Sequence, residues 1–213
     1  MKKLILIWLA VPLLFACSGI PRTDRAVLVP DITINAKEGQ PVQIDTSASE
    51  IKFTGYGPGH HHTGIFKLKQ GFISLQNNLI TGGNFIISIA SMQMEEKGAA
   101  IENKLRPHLL SPDFLDVTTY PLSTFTIFKA EPILNSSGKA TNYQVTGNLV
   151  LKNKARSISF PAHITITGSH VEATADFVID RSWWDISYGN KRSLGNKFIS
   201  NTVRIQLTIV SNG

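Results

Sequence analysis

From about residue 41 to its end the chain alternates apolar and polar residues, often for ten residues at a time. This period of two restricts it to β-strands with one buried face. Val203, Ile205, Leu207 and Ile209 form one apolar row, with Thr202, Arg204, Gln206 and Thr208 between them. Val171, Ala173, Ala175, Phe177 and Ile179 form a second, Ile158, Phe160, Ala162, Ile164 and Ile166 a third, and Tyr143, Val145, Leu149 and Leu151 a fourth. Further strands fit at about 49–56, 64–75, 79–90 and 124–131, which makes eight. The stretches 157–167 and 170–180 are long for strands and would each span roughly 35 Å at about 3.3 Å per residue. Eight long antiparallel strands close naturally into a barrel, which removes exposed edges. Such a barrel is just wide enough to be filled by side chains or to hold one slender ligand.

One stretch breaks the pattern. Residues 94–106 have a helical rhythm, with Met94, Ile101 and Leu105 on one side, and Pro107 is expected to stop the helix. Residues 85–89 are apolar on both faces, so this helix is expected to cover their outer side. If neighbouring strands are antiparallel, the connections fall alternately at two ends. One end receives the turns at 76–78, 135–142 and 168–169, which are mostly tight and polar. The other receives 57–63, 91–123, 152–156 and 181–196, which are longer, basic and histidine-bearing. Functional groups gather where variable loops crowd a rigid scaffold, so the barrel mouth is placed there.

The beginning of the chain reads as an export signal. Lys2 and Lys3 precede an apolar run from Leu4 to Phe15, too short to cross a bilayer as a helix. Cys17 is the sole cysteine, which excludes an internal disulfide, and Leu14-Phe15-Ala16-Cys17 resembles a lipoprotein processing site. The expected layout is a signal peptide at 1–16, a lipidated Cys17 with a tether through residue 40, and a barrel domain at 41–213. Within the tether, Ile32 and Ile34 are candidates for an edge strand. Without residues 1–16 the chain keeps 19 basic and 15 acidic residues, a net charge of +4. That modest excess suits an anionic membrane surface or phosphate headgroup and gives no reason to expect nucleic acid.

Motifs for catalysis are weak. His60, His61 and His62, with His108 at the same end, raise a zinc site with an open position. No HExxH pattern accompanies them, and no metal ligands are assigned. There is no GxSxG elbow, and the Gly55-x-Gly57-x-Gly59 run opens no helix. Neither an enzyme nor a cofactor is expected. Among the basic residues Lys152, Lys154, Arg156, Arg181, Lys191, Arg192 and Lys197, only Arg181 stands out. It ends a strand inside Asp180-Arg181-Ser182-Trp183-Trp184-Asp185, where two acids and two indoles would fix it, either to lock the loop or to meet a phosphate.

The stretches GHHHTGIF (59–66), HLLSPDFLDVTTYPLSTF (108–125), VTGNLVLKNKARSISFPA (145–162) and IDRSWWDISYG (179–189) together resemble the YceI-like family, in its order and across the whole domain. Leu115, Asn153 and Ala155 depart from its usual residues, and Asn153 is expected to take the left-handed turn conformation that a glycine would supply. The resemblance implies a lipocalin-like eight-stranded antiparallel β-barrel with a short helical insertion, exported to the periplasmic side of the cell envelope. It implies a polyisoprenoid, of quinone or prenyl phosphate type, in an apolar lumen, and homodimers. The lumen residues on this reading are Phe53, Phe66, Phe125, Ile127, Phe160, Ile164, Phe177 and Ile205. His60, His62, Arg106, His108, Arg181 and Trp183 would stand at the mouth. The alternatives are a filled barrel that displays loops to a partner, and an enzyme built on the histidine loop.

Overall fold

In the computed structural model, which describes residues 23–30, 39–134 and 141–212, each alternating row lies in a strand. Cys17, the signal segment, and Ile32 and Ile34 lie outside those residues. The strands are β1 (Asp24–Arg25), β2 (Val27–Leu28), β3 (Gln40–Gln43), β4 (Glu50–Gly57), β5 (His60–Gln76), β6 (Leu79–Met94), β7 (Leu122–Pro132), β8 (Tyr143–Leu151), β9 (Lys154–Thr167), β10 (His170–Asp180) and β11 (Thr202–Val210). From β4 onward each strand pairs antiparallel with the next, and β11 returns to pair antiparallel with β4. The result is the expected closed eight-stranded barrel, with β1, β2 and β3 as short additions.

Local chemistry sets the turns. Asn77 and Asn78 at φ 52° and 59°, and Lys152 and Asn153 at 47° and 58°, form two-residue left-handed turns that match the twist of the flanking strands. Asn153 therefore does what was expected of it. Two connections are shorter than the sequence suggests: His60–Thr63 belong to β5 and Lys154–Arg156 to β9. A turn follows β3, where the Asp45 carboxylate accepts the Ser47 and Ala48 backbone N–H groups before β4 begins.

The helical insertion differs from expectation. Met94 is the last residue of β6 rather than the first of a helix. The helical turns start near residue 99, widen into a π-type turn at Ile101–Leu105, and continue as α1 (Arg106–Leu110). Pro107 lies inside this run instead of ending it. The Arg106 N–H reaches back five residues to the Ile101 carbonyl, and this wider turn relieves the clash a proline ring makes in a regular helix. Leu109, with Phe114 and Leu115 just beyond α1, turns into the barrel end and borders its interior. Ile86, on the outer side of β6, is only half-buried.

The segment read as a simple tether also joins the sheet. β9 and β10 pair only from the Gly168–Ser169 turn as far as His163 and Thr174. Nearer the mouth, β1 runs parallel to Phe177–Val178 and β2 antiparallel to Ile158–Ser159. Residues 24–29 thus form a strap between β9 and β10.

Candidate functional site: the apolar lumen

The period of two that makes the strands also makes the site, because one face of every barrel strand points inward. An elongated cavity of about 270 Å³ runs through the barrel. It extends along β10 from Ala173 to Arg181, eight residues or roughly 26 Å at about 3.3 Å each. All eight side chains read from the sequence as lumen-facing border it: Phe53, Phe66, Phe125, Ile127, Phe160, Ile164, Phe177 and Ile205. Aromatic rings line one course of the wall. Phe53 stacks on Phe66 with centroids 5.0 Å apart, Phe125 meets Phe160 at 5.7 Å, and Phe160 stacks on Phe177 at 4.0 Å and 11°.

Glycines make room for these rings. A Cβ on Gly64 would lie 2.6 Å from the Phe53 ring, and one on Gly147 would lie 2.6 Å from that of Phe125. A glycine interrupting a strand pattern signals such close approach, and that signal was available in the sequence. Met92, Leu109, Phe114 and Ile186 also border the cavity, although they lie outside the clean alternating rows.

Of the six side chains assigned to the mouth, Arg181 alone borders the cavity. It is 5% exposed. Its Nε donates to the Ser200 carbonyl at 2.9 Å, Nη1 to Ile186 at 2.6 Å, and Nη2 to Tyr188 at 2.7 Å and Ile199 at 3.1 Å. The guanidinium carbon sits 5.6 Å from the Phe114 ring centroid. The neighbouring acids and indoles do not hold it, contrary to the sequence reading. Asp180 instead caps the following turn by accepting from the Ser182 N–H and hydroxyl. Backbone carbonyls around residues 186–200 converge on the guanidinium because the loop wraps it. Burial pushes the Arg181 pKa down, opposed by the charge of Asp180. No carboxylate of the described residues lies within ion-pair distance of Arg181.

The other five mouth residues do different work. The Arg106 Nε donates to the Met92 carbonyl and ties α1 to the end of β6. His108 packs edge-on against Phe114 and Tyr188, with centroids 5.1 and 4.7 Å away. His60 and His62 share the inner side of the β4–β5 hairpin, opposite Gly57 and Gly55, with rings 5.4 Å apart. His62 Nδ1 lies 3.7 Å from the Glu96 carboxylate. Among the described residues no three His, Cys, Asp or Glu side chains gather as a metal site. Trp183 faces an outer groove with Leu28, Val29, Pro30 and Arg156, while its neighbour Trp184 is the buried one, donating to the Leu149 carbonyl at 3.0 Å.

The basic residues beside the mouth serve as clasps. Lys152 donates to the Pro112 carbonyl at 3.0 Å and Arg156 to that of Trp183 at 2.9 Å, and Lys154 pairs with Asp185. They bind loop to loop, which a count of charges cannot reveal.

Fold and cavity together define an antiparallel barrel enclosing a single apolar lumen. The chain belongs to the YceI-like domain family, whose model matches residues 42–211. Among solved structures it is similar to BcnA of Burkholderia cenocepacia, at 20% identity and a TM-score of 0.63, covering 79% of this chain and 99% of that one. A polyisoprenoid binding domain from Saccharophagus degradans, implicated in plant cell wall breakdown, is 16% identical with a TM-score of 0.62, covering 83% and 99%. The YCEI protein of Campylobacter jejuni is 15% identical with a TM-score of 0.51, covering 100% and 99%. A comparison with curated protein sequences gives no match.

Proposed function

We propose that the protein holds one long apolar chain of isoprenoid type in its lumen, as a carrier or scavenger on the periplasmic side of the cell envelope, with Cys17 as its lipid anchor. The observation that carries this reading is the cavity: long, slender and walled by Phe, Ile, Leu and Val side chains from all eight barrel strands. At about 25 cal/mol per Å² of apolar area, burial in such a lumen retains a long hydrocarbon without polar anchors. The Saccharophagus domain is described as binding polyisoprenoids, and it shares this fold. Arg181 supports a polar or anionic headgroup at the mouth, since its buried charge borders the lumen without a carboxylate partner.

Native mass spectrometry of the purified protein, followed by organic extraction, tests the reading. The expected result is a stoichiometric long-chain isoprenoid, reduced by Ile164→Trp, which fills the lumen beside Ala162 and Ala173. A clean apo mass that quinones and prenyl phosphates leave unchanged would shift the assignment to a filled barrel that displays its loops.

A further inference from the structure

Between β9 and β10 part of the barrel wall is closed by a separate segment instead of by direct pairing of the two strands. Beyond His163 and Thr174 the β9–β10 ladder stops, and the strap takes up the space between them. Strands in a sheet lie about 4.8 Å apart, so the two edges here stand at roughly twice that spacing. The Ala26 N–H donates to the Val178 carbonyl at 2.9 Å and that of Val29 to Ser157 at 3.0 Å. Without the strap these carbonyls would face an open slot. By contrast, β10 and β11 pair from Glu172 to Asp180, and β8 and β9 from Tyr143 to Leu151.

The strap is lightly held. Its two strands are two residues each. Ala26 is its buried apolar residue, at 5% exposed, while Val27 and Leu28 are 51% and 46% exposed. Segments with so little buried apolar surface open locally at a small fraction of the cost of global unfolding. Directly behind it lies the lumen. Ala26 belongs to the core, and Phe160 on β9 and Phe177 on β10 stack at 4.0 Å across the gap. These two rings lie on the lumen side of the strap. The mouth is the opposite case, bolted by the four bonds of Arg181 and the clasps of Lys152, Lys154 and Arg156.

We propose that the β9–β10 seam is the port through which a long apolar chain enters and leaves the lumen sideways, with residues 24–29 as a removable stave. The proposal rests on the lipid-binding reading above. A lateral slot admits a long chain along its length, so that its apolar surface can pass into the lumen with little exposure to water at any moment. Val27 and Leu28 provide apolar surface at that slot.

A disulfide across the seam tests the port. In the full chain carrying Cys17→Ser, Val27→Cys and Ser159→Cys lie directly opposite each other. Opposed antiparallel positions have Cα atoms about 5.5 Å apart, within disulfide reach. The probe is cis-parinaric acid, followed by its fluorescence during uptake and during release to phosphatidylcholine vesicles. The oxidised protein is expected to take up and release the probe about tenfold more slowly, a barrier increase of about 1.4 kcal/mol. Equilibrium affinity should be nearly unchanged, because closing a route slows both directions alike, and reduction should restore both rates. Ala26→Pro, which lacks the N–H that meets Val178, should instead speed both. Rates that neither change alters would overturn the port and send the chain through the mouth, leaving the lipid-binding reading intact. A wild-type protein that takes up no probe would overturn that reading, and the port with it.

Discussion

Replacing Arg181 with Met keeps the length and apolar stem of the side chain and removes its donors. Four hydrogen bonds to the carbonyls of Ile186, Tyr188, Ile199 and Ser200 disappear, and the side chain that made them is 5% exposed. Bonds from a charged donor contribute about 1.5–3 kcal/mol each in isolation. The four share one group, and the charge is costly to bury, so they do not add. A loss on the order of 4 kcal/mol follows, a large share of the roughly 5–15 kcal/mol by which a domain is stable. With a urea slope of about 2 kcal/mol per M, the unfolding midpoint should fall by about 2 M. Trp183 and Trp184 lie in the same loop, so tryptophan fluorescence reports the transition where the damage is made. Arg181→Lys should be intermediate, since an ammonium keeps the charge but cannot fork toward four carbonyls. A midpoint shift below about 0.5 M for Arg181→Met, or about 1 kcal/mol, would refute the claim that this residue holds the mouth.

Three further outcomes are expected. Gly147→Ala places a Cβ 2.5 Å from the Thr126 carbonyl and 2.6 Å from the Phe125 ring, and this overpacking should cost about 1–3 kcal/mol in a thermal melt. Asn78→Val sets a β-branched residue at φ 59° and should cost about 1–2 kcal/mol, while Asn78→Gly should not destabilise; equal losses in both would contradict the turn assignment. The Asp185 carboxyl is held below the usual carboxylate range, chiefly by the hydrogen bond from Lys154. Its contribution is present above the ordinary aspartate pKa and is lost as pH falls through the lowered one. The pair is exposed, so the effect should be small. Urea midpoints followed into acid should decline less steeply for Asp185→Asn than for wild type, and parallel curves would count against the clasp.

The barrel was legible in the sequence because inward and outward residues alternate, and that one pattern fixes strand, face and lumen together. The alternation thus places Phe53, Phe160 and Phe177 in the lumen. The mouth was harder to read because its contacts join distant segments through backbone carbonyls, which no residue type announces. The sequence marks Arg181 and suggests side-chain partners for it, whereas its partners are the backbone carbonyls of Ile186, Tyr188, Ile199 and Ser200. His60 and His62 invited a metal by type and spacing, yet His108 is taken up in an aromatic cluster with Phe114 and Tyr188. Proline breaks a regular helix, so the sequence predicts a stop at Pro107, but a widened turn before it removes the conflict. The strap leaves no mark in the sequence because two-residue strands are too short to show any period.

The position of the strap also decides how the protein answers force. A load applied to the chain ahead of residue 23 reaches Asp24 and Arg25 before any strand of the barrel. These two residues join β10 by a ladder two positions long, whereas β10 and β11 share nine. A ladder of two positions has far fewer hydrogen bonds to resist a load than one of nine. Tension along the N-terminal segment would therefore lift residues 24–29 away first and leave the eight-stranded wall standing. The lightly held strap is thus in series with any load that reaches the barrel through the N-terminal segment.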